Sequence, residues 1–179
     1  MRRVYQCLPV YEFSTGSYSI VPIRDEDKYP IMQWRNEQID VLRQRHFLTR
    51  ENQETYFKNV VDKLFEKKQP DQLLFSFLEN DILIGYGGLV HINWENKSAE
   101  ISFLTETGRS LDKHQFVNDW NSYLKILKKV AELQLNLKKI YTYSYDIRPL
   151  LYQALNDSGF IAVSYTHLRA HETKAKLVC

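Results

Sequence analysis

The chain is 179 residues long, with 24 basic and 22 acidic side chains and a formal charge of +2. The whole of that excess lies in residues 163–179, where Arg169, Lys174 and Lys176 face only Glu172, so residues 1–162 balance at 21 and 21 (24 − 3 and 22 − 1). Such a charge gives no argument for nucleic acid or an acidic membrane surface as partner, and no apolar run approaches the roughly 20 residues that span a bilayer.

Cys7 is the one cysteine before residue 163, which fits a reducing compartment rather than a disulfide framework. Met1-Arg2-Arg3 is basic, but Gln6, Pro9 and Glu12 break up the stretch behind it, so no signal peptide is expected. A single cytoplasmic domain of about 160 residues is the expectation, large enough to bury a core.

Tyr18 to Ile23 (YSIVPI) is rich in β-formers and ends at the charged cluster Arg24-Asp25-Glu26-Asp27. Tyr29 to Gln38, with Ile31 and Trp34 among polar residues, reads as a short helix. Thr49 is a candidate helix N-cap with Glu51 in the first turn, where a carboxylate suits the helix dipole. Behind it Tyr56, Phe57, Val60, Val61, Leu64 and Phe65 recur at helical spacing. Leu73 to Leu78 and Ile82 to Asn93 predict two strands joined by a tight turn at Asn80-Asp81. Ala99 to Leu104 is a further strand. Phe116, Trp120, Tyr123, Leu124, Leu127, Val130 and Ala131 mark one face of a long helix ending near Asn136. Ile140 to Tyr145 returns as a strand, and Asp146 caps a last helix that stops at Gly159, the residue favoured where a helix end turns left-handed. The order β-α-α-β-β-β-α-β-α implies a mixed sheet with helices on both faces.

Residues 163–179, VSYTHLRAHETKAKLVC, resemble the in-frame translation of a transposase-type sequencing adapter. Val163 to Glu172 back-translate to its constant portion, a variable index fits near Lys174–Lys176, and Leu177-Val178-Cys179 fits the constant segment beyond the index. Lys176 departs from the codons expected at the end of the index. Such a segment is set aside before fold reasoning. Residues 1–162 are then the domain, without its natural C-terminal strands, and the tail is expected to pack poorly. His167 and His171, spaced as a helical metal pair, fall within the tail, and no metal is expected.

Ile84-Gly85 on the third strand, Ala99-Glu100-Ile101 on the fourth and Ser158-Gly159-Phe160 after the last helix resemble the GNAT superfamily of acyl-CoA-dependent N-acyltransferases. Trp34-Arg35-Asn36 resembles its subgroup acting on nucleotide-linked amino sugars. The resemblance covers residues 18–162. It implies an α/β (α+β) fold: a mixed, mostly antiparallel central sheet flanked by helices on both faces, with its C-terminal strands truncated. It also implies acetyl-CoA as cosubstrate and direct transfer to a small-molecule amine. A protein N-terminal acetyltransferase and a non-catalytic acyl-CoA-binding or partner-binding module are the alternatives.

The chemistry requires a base for the amine and N–H donors for the oxyanion, which a splayed strand supplies. By alternation Glu100 points away from the face of Ala99 and Ile101, and the resemblance makes it the base, directly or through water. His91 titrates in the right range to act as base or substrate contact. The resemblance places coenzyme contacts at Phe103, Leu104 and Thr105. In place of the family's glycine-rich pyrophosphate loop the chain has Thr105-Glu106-Thr107-Gly108-Arg109-Ser110-Leu111-Asp112, where Gly108, Arg109 and Ser110 are the candidates to meet phosphate. The family's last helix often has an Asn near its start and a Tyr acid four residues before the Gly; Arg148 and Leu155 stand there, and Tyr152, one turn earlier, is the substitute acid. Trp34, Arg35, Asn36 and Tyr86 are the candidates for the acceptor. Tyr141, Tyr143 and Tyr145 share one strand face and are read as packing. Lys125, Lys128, Lys129, Lys138 and Lys139 are read as a solvated helix end.

Overall fold

Turn chemistry sets the first ladder. The computed structural model describes residues 3–42, 44–145, 149–169 and 172–179. Gly16, at φ +59°, folds β1 (Phe13–Thr15) back on β2 (Tyr18–Pro22), a hairpin too short to announce itself in the sequence. α1 (Lys28–Glu37) comes after it. α2 (Arg50–Tyr56) starts at a capping box: the Thr49 hydroxyl accepts from the Asn52 N–H, and the Asn52 side chain accepts from the Thr49 N–H. Its rod continues through a wider π turn, Phe57–Val61, into α3 (Asp62–Leu64). Asn80 and Asp81 take φ +48° and +66°, the pair of left-handed residues a two-residue hairpin between twisted strands requires. They join β3 (Leu73–Glu79) to β4 (Ile82–Asn93).

β5 (Ser98–Thr105), α4 (Thr107–Leu111) and α5 (Lys113–Lys129) come next, the last widening into a π turn at Val130–Gln134. β6 (Lys139–Tyr145) leads to α6 (Pro149–Asp157), and Gly159 turns the chain at φ +85°. The cap expected of Asp146 lies outside the described residues.

With β7 (Ile161–Arg169) and β8 (Glu172–Val178), the strands form one sheet in the order β1-β2-β3-β4-β5-β6-β8-β7. It is antiparallel except where β5 meets β6. Phe116, Trp120, Tyr123, Leu124 and Leu127 of α5 are buried, with Phe103 stacked on Tyr123 at 3.8 Å and Phe77 edge-on to it at 5.3 Å. The opposite face receives α1, whose Arg35 donates to the Tyr86 hydroxyl. At Gly87 the neighbouring backbone comes so close that a Cβ would stand 2.1 Å from the Ser102 carbonyl oxygen, which only glycine permits.

The tail is not loose, contrary to the expectation from its sequence. β7 (Ile161–Arg169) and β8 (Glu172–Val178) pair with each other, and β8 lies along β6 from Tyr141↔Val178 to Tyr145↔Lys174. Cys179 and Ile140 exchange both backbone hydrogen bonds, at 2.9 and 3.0 Å. The physical reason is that β6 offers an unpaired edge, and a main-chain ladder can form without particular side chains.

Candidate active site

The site begins where a ladder stops. β5 and β6 are in register only at Ser98↔Lys139, Ala99↔Ile140 and Glu100↔Tyr141, yet β5 runs on to Thr105 and β6 to Tyr145. Beyond Glu100 the strands diverge. Along β5, odd-numbered residues turn their peptide groups toward β6: Lys97 O accepts from the Lys138 and Lys139 N–H groups, and Ile101 O accepts from Thr142 Oγ1 at 3.4 Å. Even-numbered residues serve β4, as the approach of Gly87 to Ser102 O shows. Ile101, Phe103 and Thr105 therefore present main chain to the gap. Thr105 O is taken by Gln38 Nε2 at 2.8 Å. The Phe103 peptide, between these two engaged positions, is the one the splay leaves at its centre.

A cleft of about 210 Å³ passes through this gap, lined by Glu100, His91, Ser102, Thr142, Tyr143 and Arg35 among others. Glu100 is buried, 8% exposed. His91 stands opposite with Nε2 at 3.9 Å from its carboxylate, and is itself mostly exposed. A bulge between Val90 and Asn93, with His91 at φ +50°, aims that imidazole at the cleft mouth. Such a bulge re-aims a side chain at the cost of a ladder position. Arg35 donates to the Tyr86 hydroxyl at 2.5 Å and to Gln44 Oε1 at 2.9 Å. Tyr123 reaches Ser102 O at 3.3 Å, and burial pushes its phenol well above the ordinary range, so it stays protonated.

A second cavity of about 480 Å³ adjoins the first, since Val41 and Leu151 line both. Thr107, Ser110, Leu111 and Lys113 form one wall, and Pro149 and Leu150 the opposite one. This is the side on which the sequence placed phosphate contacts, but the cation lining it is not Arg109. Arg109 turns inward, donating through Nε and a terminal nitrogen to both oxygens of Asp119 at 2.7 Å, with Glu79 at 3.0 Å. Hydrogen bonding to Asp119 holds its guanidinium charged even more firmly than usual. Arg109, half-buried, is thus held by two carboxylates rather than turned toward the cavity. Lys113, which no sequence motif singles out, is the cation facing the cavity, and among the described residues it makes no ion pair. The Ser110 hydroxyl donates to Thr107 O at 2.7 Å, and a Cβ at Gly108 would meet nothing within 4 Å.

Other expectations are redistributed. Trp34 is buried in the core and offers no stacking face. Asn36 holds the loop after α1, donating to Leu48 O and accepting from Leu48 N–H and Gln44. Tyr86 is buried under Arg35. Of the last helix, Leu151 and not Tyr152 lines the cleft, because Tyr152 lies about 100° further round the helix. Leu155 is fully buried, Leu104 belongs to the core, Phe103 belongs to it while also lining the cleft, and Arg148 lies outside the described residues. Thr142 and Tyr143 were missed as site residues. The alternation of tyrosines on β6 was visible, but the divergence that exposes them to a cleft was not.

A family model described as an acetyltransferase (GNAT) domain matches residues 20–163. Among curated proteins none matches the chain. Among solved structures, a spermidine N-acetyltransferase from Vibrio cholerae in complex with CoA and spermine is similar with a TM-score of 0.75 and 15% identity, over 92% of this chain and 96% of that one. RimJ from Mycobacterium smegmatis in complex with CoA-disulfide is similar with a TM-score of 0.72 and 11% identity, over 94% and 85%. At such identities the likeness carries the fold.

Proposed function

The chain belongs to the GNAT acetyltransferase family, whose domain it matches over residues 20–163, and from that premise we propose that it acetylates a primary amine of a small molecule bound on the Glu100 face of the splay. Acetyl-CoA is the acetyl donor of such domains, and the chain's residues fit it. The second cavity leads to the cleft, Lys113 and Ser110 flank it on the phosphate side, and the Phe103 peptide lies where the strands part. The observation that carries the reading is the end of the β5–β6 ladder at Glu100, which sets a buried carboxylate beside an open main-chain edge.

The donor supplies an activated acyl carbon as a thioester. The residues of this chain do the rest. Glu100 takes a proton from the incoming ammonium, directly or through water, so that the nitrogen can attack. Main-chain N–H on the open edge of β5 is the donor type that a developing oxyanion needs. A C–N bond forms, the C–S bond breaks, and the departing thiolate takes up a proton. The cleft hydroxyls able to relay it are Ser102, Thr142 and Tyr143. The same reading gives residues 1–162 the catalytic role and residues 163–179, as adapter-derived sequence, only that of filling a sheet edge.

The preference for a nucleotide-linked amino sugar loses its support, since Trp34 and Asn36 are committed to the core and the loop. The acceptor is taken to be a small amine without a nucleotide. Thermal-shift titration with acetyl-CoA, followed by acetylation of spermidine, glucosamine and a lysine-containing tripeptide, tests the reading. A ligand that binds only the folded state raises the melting temperature. Glu100→Gln is expected to lower kcat by about 100-fold or more while leaving the acetyl-CoA shift in place. No shift, or undiminished turnover in Glu100→Gln, counts against it.

A further inference from the structure

Tyr141 and Tyr143 stand on the Glu100 side of β6. Tyr141 is the register partner of Glu100, and register partners share a sheet face. Tyr143, two residues on, lines the cleft with Glu100. Their rings meet edge to face, 5.9 Å apart at 82°. Over both sits the ammonium of Lys176, 4.5 Å from the Tyr141 centroid and 5.8 Å from that of Tyr143.

We propose that this tyrosine pair is the wall that binds the acceptor, receiving it as an alkylammonium and presenting it to Glu100. The inference rests on the acetyltransferase reading and names its substrate class. Ring faces attract a cation through their quadrupole. They hold it without competing for the proton that Glu100 must remove, as a second carboxylate would. Glu100 is the one acidic side chain lining the cleft among the described residues. The permanent cation among the described residues lining the cleft, Arg35, is tied to Tyr86 and Gln44. Lys176 is a stand-in: its Nζ is a primary alkylammonium, the chemical group the reaction consumes, and it reaches the rings because Lys176 is Tyr143's partner across the β6–β8 ladder.

Steady-state kinetics on the full chain test this, with whichever of spermidine, glucosamine and the lysine tripeptide is acetylated. Lys176→Ala removes the competing ammonium and is expected to lower the KM for the amine. Tyr141→Leu and Tyr143→Leu are expected to raise KM by about three- to tenfold, with Tyr143→Phe, which keeps the ring, rising less than Tyr143→Leu. Choline should inhibit competitively against the amine, and its neutral isostere 3,3-dimethylbutan-1-ol should not. This last comparison needs no variant to fold. Opposite signs for the lysine and tyrosine variants are what a purely structural role for the tyrosines does not produce. Unchanged KM in Lys176→Ala, or equal inhibition by the two isosteres, overturns the tyrosine assignment while the acetyltransferase reading stands. Absence of any acetylated amine in the unaltered chain overturns both.

Discussion

At residue scale, what a charged side chain does depends on the partner the fold gives it. Arg109 sits in a polar loop of the sequence, where a phosphate was the natural expectation. The corner between α4 and α5 turns it instead toward Asp119, whose side chain is fully buried and also accepts from Gln115 Nε2 at 2.7 Å. Removing that carboxylate by Asp119→Ala leaves the guanidinium, 18% exposed, with Glu79 as its remaining ion-pair partner. Breaking a buried pair costs about 3–5 kcal/mol, and the Glu79 partner together with solvent access to Arg109 puts the expected loss below that, at about 2–3 kcal/mol. Urea unfolding should show it as a lower midpoint at unchanged slope. Lys113→Ala is expected to do the reverse, leaving stability alone while weakening acetyl-CoA about three- to tenfold in a salt-dependent way, as a partly exposed phosphate contact does. A titration at two salt concentrations checks it. Equal affinity in the variant would return the phosphates to another part of the cavity.

At the scale of elements, the features legible in the sequence were those set by local chemistry. Thr49, the Asn80-Asp81 turn and Gly159 each fix their own backbone, and each stands where the spacing put it. Thr49→Ala removes one half of a reciprocal cap, and a loss of about 1 kcal/mol is expected, read by thermal melting. A destabilisation near zero would mean the rod is held by Phe57, Val61 and Leu64 in the core and not by its first turn. β1 was not legible because a three-residue strand exists only by pairing with β2. The splay was not legible either, because it is defined by pairs that fail to form after Glu100↔Tyr141. Alternation placed Glu100 on the right face, but nothing local to Arg109 and Asp119, ten residues apart, joined them, and nothing local marked Tyr143 as a cleft residue rather than packing. The position of Glu100 in the cleft was therefore readable, and the walls around it were not.

At the scale of the whole molecule, the outer edge of β6 is closed by main-chain pairing with β8. β8 covers the outer edge of β6 from Tyr141 to Tyr145 and, through Cys179, Ile140. Those bonds are main chain, so most of the gain comes from closing an edge that would otherwise pair with another copy. Two changes separate edge closure from side-chain identity. Deleting residues 163–179 uncovers β6, and the shortened chain is expected to self-associate in size-exclusion chromatography and to melt at lower temperature. Reordering residues 164–169 among themselves keeps the composition and the β-formers while discarding the order. It is expected to remain monodisperse and to melt close to the unaltered chain, because the β7–β8 ladder runs through backbone groups at those positions. If reordering were as damaging as deletion, the tail would hold sequence-specific contacts, and its reading as adapter-derived filler would fall. If deletion were harmless, β6 would be a tolerated free edge and β8 an ornament of the fold. The expected ordering, deletion severe and reordering mild, comes from a ladder that reads the chain's backbone and not its side chains.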